Sequence, residues 1–183
     1  MSLESFDDVL AAAQAGAGWA FERLYRHLAP TVTGYLRLQG AREPDDVASE
    51  TFVAVFRGLA SFEGNEQQFR SWVFTIAHRR LLDERRYWSR RPSTNELDPT
   101  TDVPTDDVVE DDVVDRLRQA EVAELLEDLP RTQRDVLLLR IVGGLTVEET
   151  ARAVGKRAGA VKQLQRRGLL RVRQILSERG VTF

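Results

Sequence analysis

Hydrophobic residues recur at helical spacing along most of the chain, and no segment shows the strict alternation of a half-buried strand. The first two stripes are Phe6, Val9, Leu10 and Ala13, and then Trp19 or Phe21 with Leu24, Tyr25 and Leu28. Pro30 either starts a new helix or kinks the second one, because proline lacks a backbone N–H. The pattern therefore predicts an all-α fold.

A third helix is predicted to start at Pro44 and Asp45, with apolar positions at Val47, Phe52, Val55, Phe56 and Leu59. Beyond a loop at 61–65, Asn65 and Gln68 have the spacing of a capping box, which predicts a fourth helix. Pro92 limits that helix to an end at Tyr87 or Arg90. It is apolar on two sides, with one stripe of Phe69, Trp72, Val73, Ile76 and Ala77 and another of Phe74 and Leu81.

The segment from Pro92 to about Asp107 is rich in proline, threonine and aspartate, which is typical of a flexible acidic linker. Helix is expected to resume over residues 108–128 and to break at Pro130. Thr132 and Asp135 are then predicted to cap a helix that ends at Gly143 and Gly144. The linker divides the chain into two small helical domains.

The last two predicted helices have the proportions of a helix-turn-helix. Thr146 and Glu149 form a capping box before a helix over 147–154, and the turn 155–158 leads into a helix over about 159–177. One face of this final helix carries Val161, Leu164, Gly168, Val172 and Ile175, and the opposite face carries Lys162, Gln163, Arg166 and Arg173. Such long polar side chains suit base edges and phosphates in a major groove, although a solvated helix face would look the same.

Charge is segregated along the chain, which the overall net charge of −3 conceals. Residues 66–93 carry a net charge of +4 and residues 131–183 carry +8, whereas residues 94–130 carry −11. Two basic blocks indicate two surfaces that bind polyanions, and the acidic segment between them is expected to hinder nonspecific DNA binding. All cations except Lys156 and Lys162 are arginine, which suits phosphate and guanine but also fits a genome biased toward arginine codons.

The fourth helix mixes basic and aromatic groups, at Arg70, Arg79, Arg80, Arg85, Arg86, Tyr87, Trp88, Arg90 and Arg91. Aromatic faces beside cations are what single-stranded nucleic acid requires, so we expect phosphate contacts from these arginines. The apolar residues Trp72, Val73 and Ile76 are expected to belong mainly to the core.

Several other kinds of chemistry are excluded or disfavoured. The chain has no cysteine, which rules out disulfides, thiolate zinc sites and a cysteine nucleophile. No apolar run approaches the length of a membrane span, and the acidic N-terminus lacks the features of a signal peptide, so a soluble cytoplasmic protein is expected. Asp45, Asp46 and Glu50 suit the first turn of a helix better than a metal site, and His27 and His78 stand alone. We predict no enzyme activity, no metal and no cofactor.

Several motifs together resemble bacterial sigma factors of the extracytoplasmic-function (ECF) group. They are residues 45–52 (DDVASETF), 69–77 (FRSWVFTIA), Leu129-Pro130 with Arg134-Asp135-Val136, 144–149 (GLTVEE) and the helix-turn-helix. The likeness covers about residues 18–92 and 118–178. It implies a sigma region 2 domain over 1–92, an acidic linker over 93–117 that threads through polymerase channels, and a region 4 domain over 118–183. The chain departs from common family residues at Ser49, Arg79 and Arg157, and in the order of basic and apolar residues at Leu164 and Gln165.

The resemblance also implies partners and roles. Core RNA polymerase is expected to bind the third helix through its clamp helices, at Asp45, Asp46, Ser49, Glu50, Phe52, Val53 and Phe56. The minus-10 promoter element is expected to be captured as a melted single strand by the loop over 62–68 and the helix after it, at Phe62, Asn65, Arg70, Trp72, Arg79, Arg80, Arg85 and Arg86. The double-stranded minus-35 element is expected to contact Lys156, Arg157, Lys162, Gln163, Arg166, Arg167 and Arg173.

Members of this group are commonly held by an anti-sigma factor, so such a partner is expected here. A stand-alone helix-turn-helix regulator, with N-terminal helices that sense a ligand or dimerise, is the alternative from another class. A helical adaptor that binds only proteins is a third. Transcription by core polymerase separates these hypotheses, because only a sigma factor makes the core enzyme initiate at a promoter.

Overall fold

The computed structural model describes residues 5–90 and 122–180, and within them every regular element is helical, as predicted. In the first range, helices α1 (Phe6–Gln14), α2 (Gly18–Leu38) and α3 (Pro44–Gly58) precede a 3₁₀ turn (Leu59–Ser61) and helix α4 (Glu66–Arg90). In the second range, residues 122–127 are helical, and α5 (Arg131–Ile141), α6 (Val147–Val154) and α7 (Ala158–Glu178) follow. The predicted linker and the first part of the predicted 108–128 helix lie outside the described residues.

Pro30 lies inside α2 and does not start a new helix. Proline removes one intrahelical hydrogen bond, which favours a break. Here the apolar face of α2 is buried on both sides of the proline, at Leu28 and Ala29 before it and at Val32 and Tyr35 after it. Tertiary packing of that face stabilises the helix more than local propensity opposes it.

Two of the three predicted caps are confirmed. The Asn65 side chain accepts from the backbone N–H of Gln68 at 3.0 Å, and the Gln68 side chain accepts from the backbone N–H of Asn65 at 2.9 Å. Thr146 and Glu149 form the same reciprocal pair. The predicted cap by Thr132 and Asp135 is wrong, because α5 begins one residue before Thr132 without a side-chain cap. Asp135 is instead buried against an arginine of α4.

The two halves of the chain share one hydrophobic core. The cluster that contains Val32, Phe52 and Phe74 of the first half also contains Leu139 and Leu145 of the second. Helix α4 lies between them, because its Phe69 and Val73 are buried with Phe74 and Leu81. Its two apolar sides therefore have a structural reason, because α4 is buried between the two halves: the Phe74 ring lies 5.4 Å from the Tyr35 ring of α2, and a Cβ built on Gly143 of the second half would lie 3.1 Å from it.

Candidate nucleic-acid interface

Helices α6 and α7 form the predicted helix-turn-helix. Gly155 ends α6 in the left-handed backbone conformation at φ +65°, where a residue with a Cβ would be sterically strained. Helix α7 begins three residues later. Helix α7 packs closely on α5, since a Cβ built on Gly168 would lie 2.8 Å from a methyl carbon of Leu137. This close approach fixes which face of α7 points outward.

The outward face of α7 is the one predicted. Val161, Gly168 and Ile175 are buried and Leu164 and Val172 are half-buried, which confirms the apolar stripe. Seven predicted minus-35 residues are all exposed, namely Lys156, Arg157, Lys162, Gln163, Arg166, Arg167 and Arg173. The geometry leaves these cations and the amide free to reach a major groove, and their individual base contacts stay predictions.

The predicted loop over 62–68 consists of a non-helical stretch at 62–65 and the first residues of α4 at 66–68, and it rests on an aromatic cluster made of Phe6, Phe62, Phe69 and Trp72. The rings of Phe62 and Trp72 stack with centroids 5.0 Å apart, and Phe62 and Phe69 meet edge to face at 5.3 Å. Phe6 of α1 contacts Phe69 from the other side at 5.7 Å. Phe62 and Trp72 keep partly exposed faces, whereas Phe69 is buried. The loop thus lies on a firm apolar base beside the N-terminus of α4.

The α4 arginines predicted to contact the minus-10 strand differ in their surroundings. Arg79 and Arg86 are exposed, and Arg86 pairs with Asp83 on the same helix at 3.2 Å. Arg80 is half-buried and lies 4.0 Å from Glu50. Arg70 and Arg85 are turned toward the second half of the chain, where both make hydrogen bonds.

Arg70 and its neighbours hold the turn after α5. The Arg70 guanidinium donates to the carbonyl oxygens of Val142 at 2.7 Å and Gly143 at 3.2 Å, and the Gln67 amide donates to the carbonyl of Gly144 at 2.7 Å. Burial lowers the pKa of Arg70 from its ordinary value. A Cβ on Gly143 would approach a ring carbon of Phe74 to 3.1 Å, so the turn lies directly against α4.

Ser71 extends this contact to the helix-turn-helix. Its hydroxyl donates to the Glu149 carboxylate at 3.2 Å, and that carboxylate also accepts from the Thr146 amide at 2.7 Å. Burial opposes the ionisation of Glu149, but the hydrogen bonds from Thr146 and Ser71 outweigh it and leave the pKa of Glu149 below its usual value. Glu149 therefore caps α6 and joins it to α4.

A buried ion pair between Arg85 and Asp135 is the second link between the halves. The two groups are 3.3 Å apart, and their side chains are only 13% and 9% exposed. Arg85 also donates to the Gln39 backbone carbonyl at 2.7 Å.

Behind it, the hydroxyl of Tyr35 is 2.9 Å from Nδ1 of His78, and burial raises the pKa of Tyr35 and lowers that of His78. His78 is a hydrogen-bonded core residue, and His27 pairs with Glu66 at 3.2 Å.

The predicted polymerase-binding residues of α3 divide into surface and core. Asp45, Asp46, Ser49, Glu50 and Val53 are exposed, Phe56 is half-buried, and Phe52 is only 2% exposed. Asp45 pairs with Arg37 at 3.1 Å, and the Ser49 hydroxyl donates to the Asp45 carbonyl. Phe52 is covered by Tyr25, whose ring centroid lies 4.8 Å away.

Two exposed aromatic residues of α2 were missed by the sequence reasoning. Tyr25 is 43% exposed although helical spacing places it on the apolar stripe, and Trp19, which that spacing offers as an alternative to Phe21, is 57% exposed. Phe21 is the residue that packs, edge-on to Phe56 at 5.1 Å. Helical spacing identifies the residues on a stripe but not the width of the face that a neighbour covers, so these edge positions carried no signal.

Among residues 5–90 and 122–180, no cluster of histidine, aspartate or glutamate side chains has the arrangement of a metal site. None of the helices in these ranges is long and apolar enough to span a membrane.

Comparison with known proteins identifies both halves of the chain. The sequence profile of Sigma-70 region 2 matches residues 24–91, and that of Sigma-70 region 4 matches residues 119–172. Together they cover more than half of the chain. The chain is an RNA polymerase sigma factor. Its curated relatives place this sigma factor in the ECF group, so the resemblance found in the sequence is confirmed.

Two ECF sigma factors show the relation over nearly full length. SigD of Mycobacterium tuberculosis is 34% identical over 190 residues, an alignment that covers 98% of this chain and 88% of SigD. ShbA of Streptomyces griseus is 32% identical over 174 residues, with 89% of this chain and 91% of ShbA covered. BldN of Streptomyces coelicolor is 32% identical, but this sigma factor spans only 64% of its length.

Solved structures share the fold. CnrH, solved in complex with the cytosolic domain of CnrY, has a TM-score of 0.64 and 26% identity over 93% of this sigma factor and 96% of that chain. RpoE from Bartonella quintana, solved with the anti-sigma factor NepR, has a TM-score of 0.63 at 18% identity, over 86% of this chain and 96% of that one.

Proposed function

We propose that this sigma factor brings core RNA polymerase to promoters whose minus-35 element is read by α7 and whose minus-10 element is captured at α4 and the loop over 62–68. The single observation that carries the proposal is the exposed face of α7, where Lys162, Gln163, Arg166 and Arg173 stand opposite a buried apolar stripe. Region 2 would comprise residues 1–92, the linker 93–117 and region 4 118–183. The protein would contribute recognition and melting in the cytoplasm and leave the chemistry of RNA synthesis to the polymerase.

The exposed part of α3 would bind the polymerase. Asp45, Asp46, Glu50 and Val53 offer acids beside an apolar group, and Tyr25 of α2 extends the same surface across Phe52. Because Phe52 and Phe56 lie beneath this surface, their part would be to hold its shape. An acidic surface with apolar residues at its centre suits a basic, amphipathic partner helix.

Promoter binding would require the two domains to separate. The minus-35 and minus-10 elements are named for positions about 25 base pairs apart, which is about 85 Å along straight duplex DNA. A compact chain of this length has a radius of gyration of only about 16 Å. The 31 residues of 91–121, which connect the described ranges, reach up to about 100 Å when extended.

In the structure the two halves of the chain are packed together, and we call this arrangement closed. In the closed arrangement, region 4 would compete with the minus-10 strand for two arginines. Arg70 and Arg85 donate to Val142, Gly143 and Asp135 of region 4, so these donors are not available to phosphate until those bonds break. The minus-35 face stays exposed in the same arrangement. An anti-sigma factor that stabilises the closed form would therefore block minus-10 capture.

Binding to purified core polymerase tests this proposal against the stand-alone regulator. Immobilised sigma factor should retain core polymerase, and the resulting holoenzyme should bind a promoter fragment that the free protein binds only weakly. A stand-alone regulator would bind its operator equally well without polymerase and would retain no core enzyme. That second result would reject the proposed function.

A further inference from the structure

Helix α1 lies outside both Sigma-70 profiles, because the region 2 match begins at residue 24, and it touches the start of the loop over 62–68. The contact is made by one side chain at the last residue of α1. The Gln14 amide nitrogen donates to the backbone carbonyl of Phe62 at 2.8 Å and to that of Leu59 at 3.1 Å. Gln14 and these two carbonyls are more than 40 residues apart in sequence.

The two carbonyls lie where the chain leaves the 3₁₀ turn and enters the loop. The Leu59 carbonyl already accepts from the Phe62 amide at 3.0 Å, which closes the turn. The Gln14 side-chain amide also holds the Phe62 carbonyl, three residues further along the chain. An amide group has two donors, so one side chain can hold both acceptors at once.

The other end of the loop is fixed by different means. The capping box of Asn65 and Gln68 ties it to α4. Gly64, one residue before Asn65, has φ +154°, and a Cβ there would lie 2.8 Å from the Gln68 side-chain oxygen and 3.0 Å from the Phe62 ring. The capping box thus holds one end of the loop and Gln14 holds the other, above the aromatic cluster.

We infer that Gln14 is a positioning residue for minus-10 capture, which acts by fixing the Leu59 and Phe62 carbonyls so that the loop is held in shape before DNA arrives. The inference rests on the proposed function, since it assumes that this loop receives the melted strand. A loop that is already ordered loses less conformational entropy when it binds a base. Gln14 itself need not touch DNA.

The test is a set of Gln14 variants that differ in hydrogen-bond donors. Gln14→Met keeps the length of the side chain without a donor, Gln14→Glu places a carboxylate against the two carbonyls, and Gln14→Lys restores donors. Gln174→Met is the matched control, because the Gln174 amide donates to Glu178 on its own exposed helix. Reconstituted holoenzyme is titrated with a duplex that has an unpaired minus-10 strand, and with the same duplex carrying a scrambled minus-10 sequence.

We expect Gln14→Met to weaken binding of the correct strand by about three- to tenfold, the size expected for one or two modest hydrogen bonds. Gln14→Glu should weaken it further, Gln14→Lys should recover most of it, and binding of the scrambled strand and of core polymerase should not change. Simple destabilisation would weaken all of these together. Equal selectivity in the wild type and in Gln14→Met would overturn the inference, whereas a wild type without selectivity would count against the proposed function itself.

Discussion

Asp135→Asn is the substitution that tests the closed arrangement most sharply. Asparagine keeps the size of the side chain and removes its charge, so Arg85 is left buried in the closed form without a counterion. Breaking one side of a buried ion pair costs about 3 to 5 kcal/mol. Here Arg85 retains its bond to the Gln39 carbonyl, so about 2 to 3 kcal/mol is expected, which shifts the closing equilibrium by about 30- to 150-fold.

The assay uses two features of the sequence. All three tryptophans, Trp19, Trp72 and Trp88, precede the linker, and the chain has no cysteine. A single Ser177→Cys, at an exposed position of α7, therefore accepts one dye in region 4. Energy transfer from tryptophan to that dye reports the distance between the domains, and small-angle scattering reports the radius of gyration.

In the Asp135→Asn protein, transfer should decrease and the radius of gyration should increase. Asp83→Asn is the control, because Asp83 pairs with Arg86 at the surface, where the side chains are 62% and 67% exposed, and such pairs contribute little. Circular dichroism should show the same helix content in all three proteins. If the energy transfer and the radius of gyration are the same in Asp135→Asn as in wild type, the ion pair does not hold the domains together. Region 4 would then not compete with the minus-10 strand for Arg85.

Three further predictions concern DNA recognition, pH and the linker. Arg166→Ala should weaken binding of holoenzyme to a duplex minus-35 element by about 1 to 3 kcal/mol if Arg166 contacts a base. The loss should disappear on a scrambled minus-35 sequence. Unchanged binding to the correct element would show that Arg166 does not contact it. The free energy of unfolding should decrease as the pH falls below about 6.5, because burial lowers the pKa of His78 and protons then bind the unfolded chain preferentially. Thermal melts at several pH values should show a weaker dependence for His78→Gln, and an identical dependence would contradict this assignment. Replacing the carboxylates of residues 93–117 by amides should increase nonspecific DNA binding of the free protein at low salt, and unchanged binding in a filter assay would dismiss the idea that the acidic linker hinders it.

Local structure could be predicted from the sequence wherever short-range chemistry decides it. The capping boxes at Asn65 and Thr146, the glycine at 155 and the two faces of α7 all depend on residues within a few positions of one another. Such patterns specify a helix end or a buried face without reference to the rest of the chain.

The contacts between the two domains could not be predicted in this way. Arg70 and Arg85 look like phosphate ligands in a basic helix, and only the fold brings Val142 and Asp135 to them across 72 and 50 residues of sequence. The error at Asp135 has the same origin, since its carboxylate is at a helix start but faces an arginine of another domain. Gln14 likewise carried no signal, because the carbonyls that it holds have no side-chain signature.

Transcription from a promoter library tests the central claim most directly. Purified sigma factor, core RNA polymerase and a library of randomised promoters are combined, and the RNA products are sequenced with their templates. RNA should start at a subset of templates that share two separate elements about 25 base pairs apart, a distance that separated domains can span. If the sigma factor does not make core polymerase initiate at any template, or if the selected templates share only one element, the account of two DNA-binding domains on one chain is contradicted.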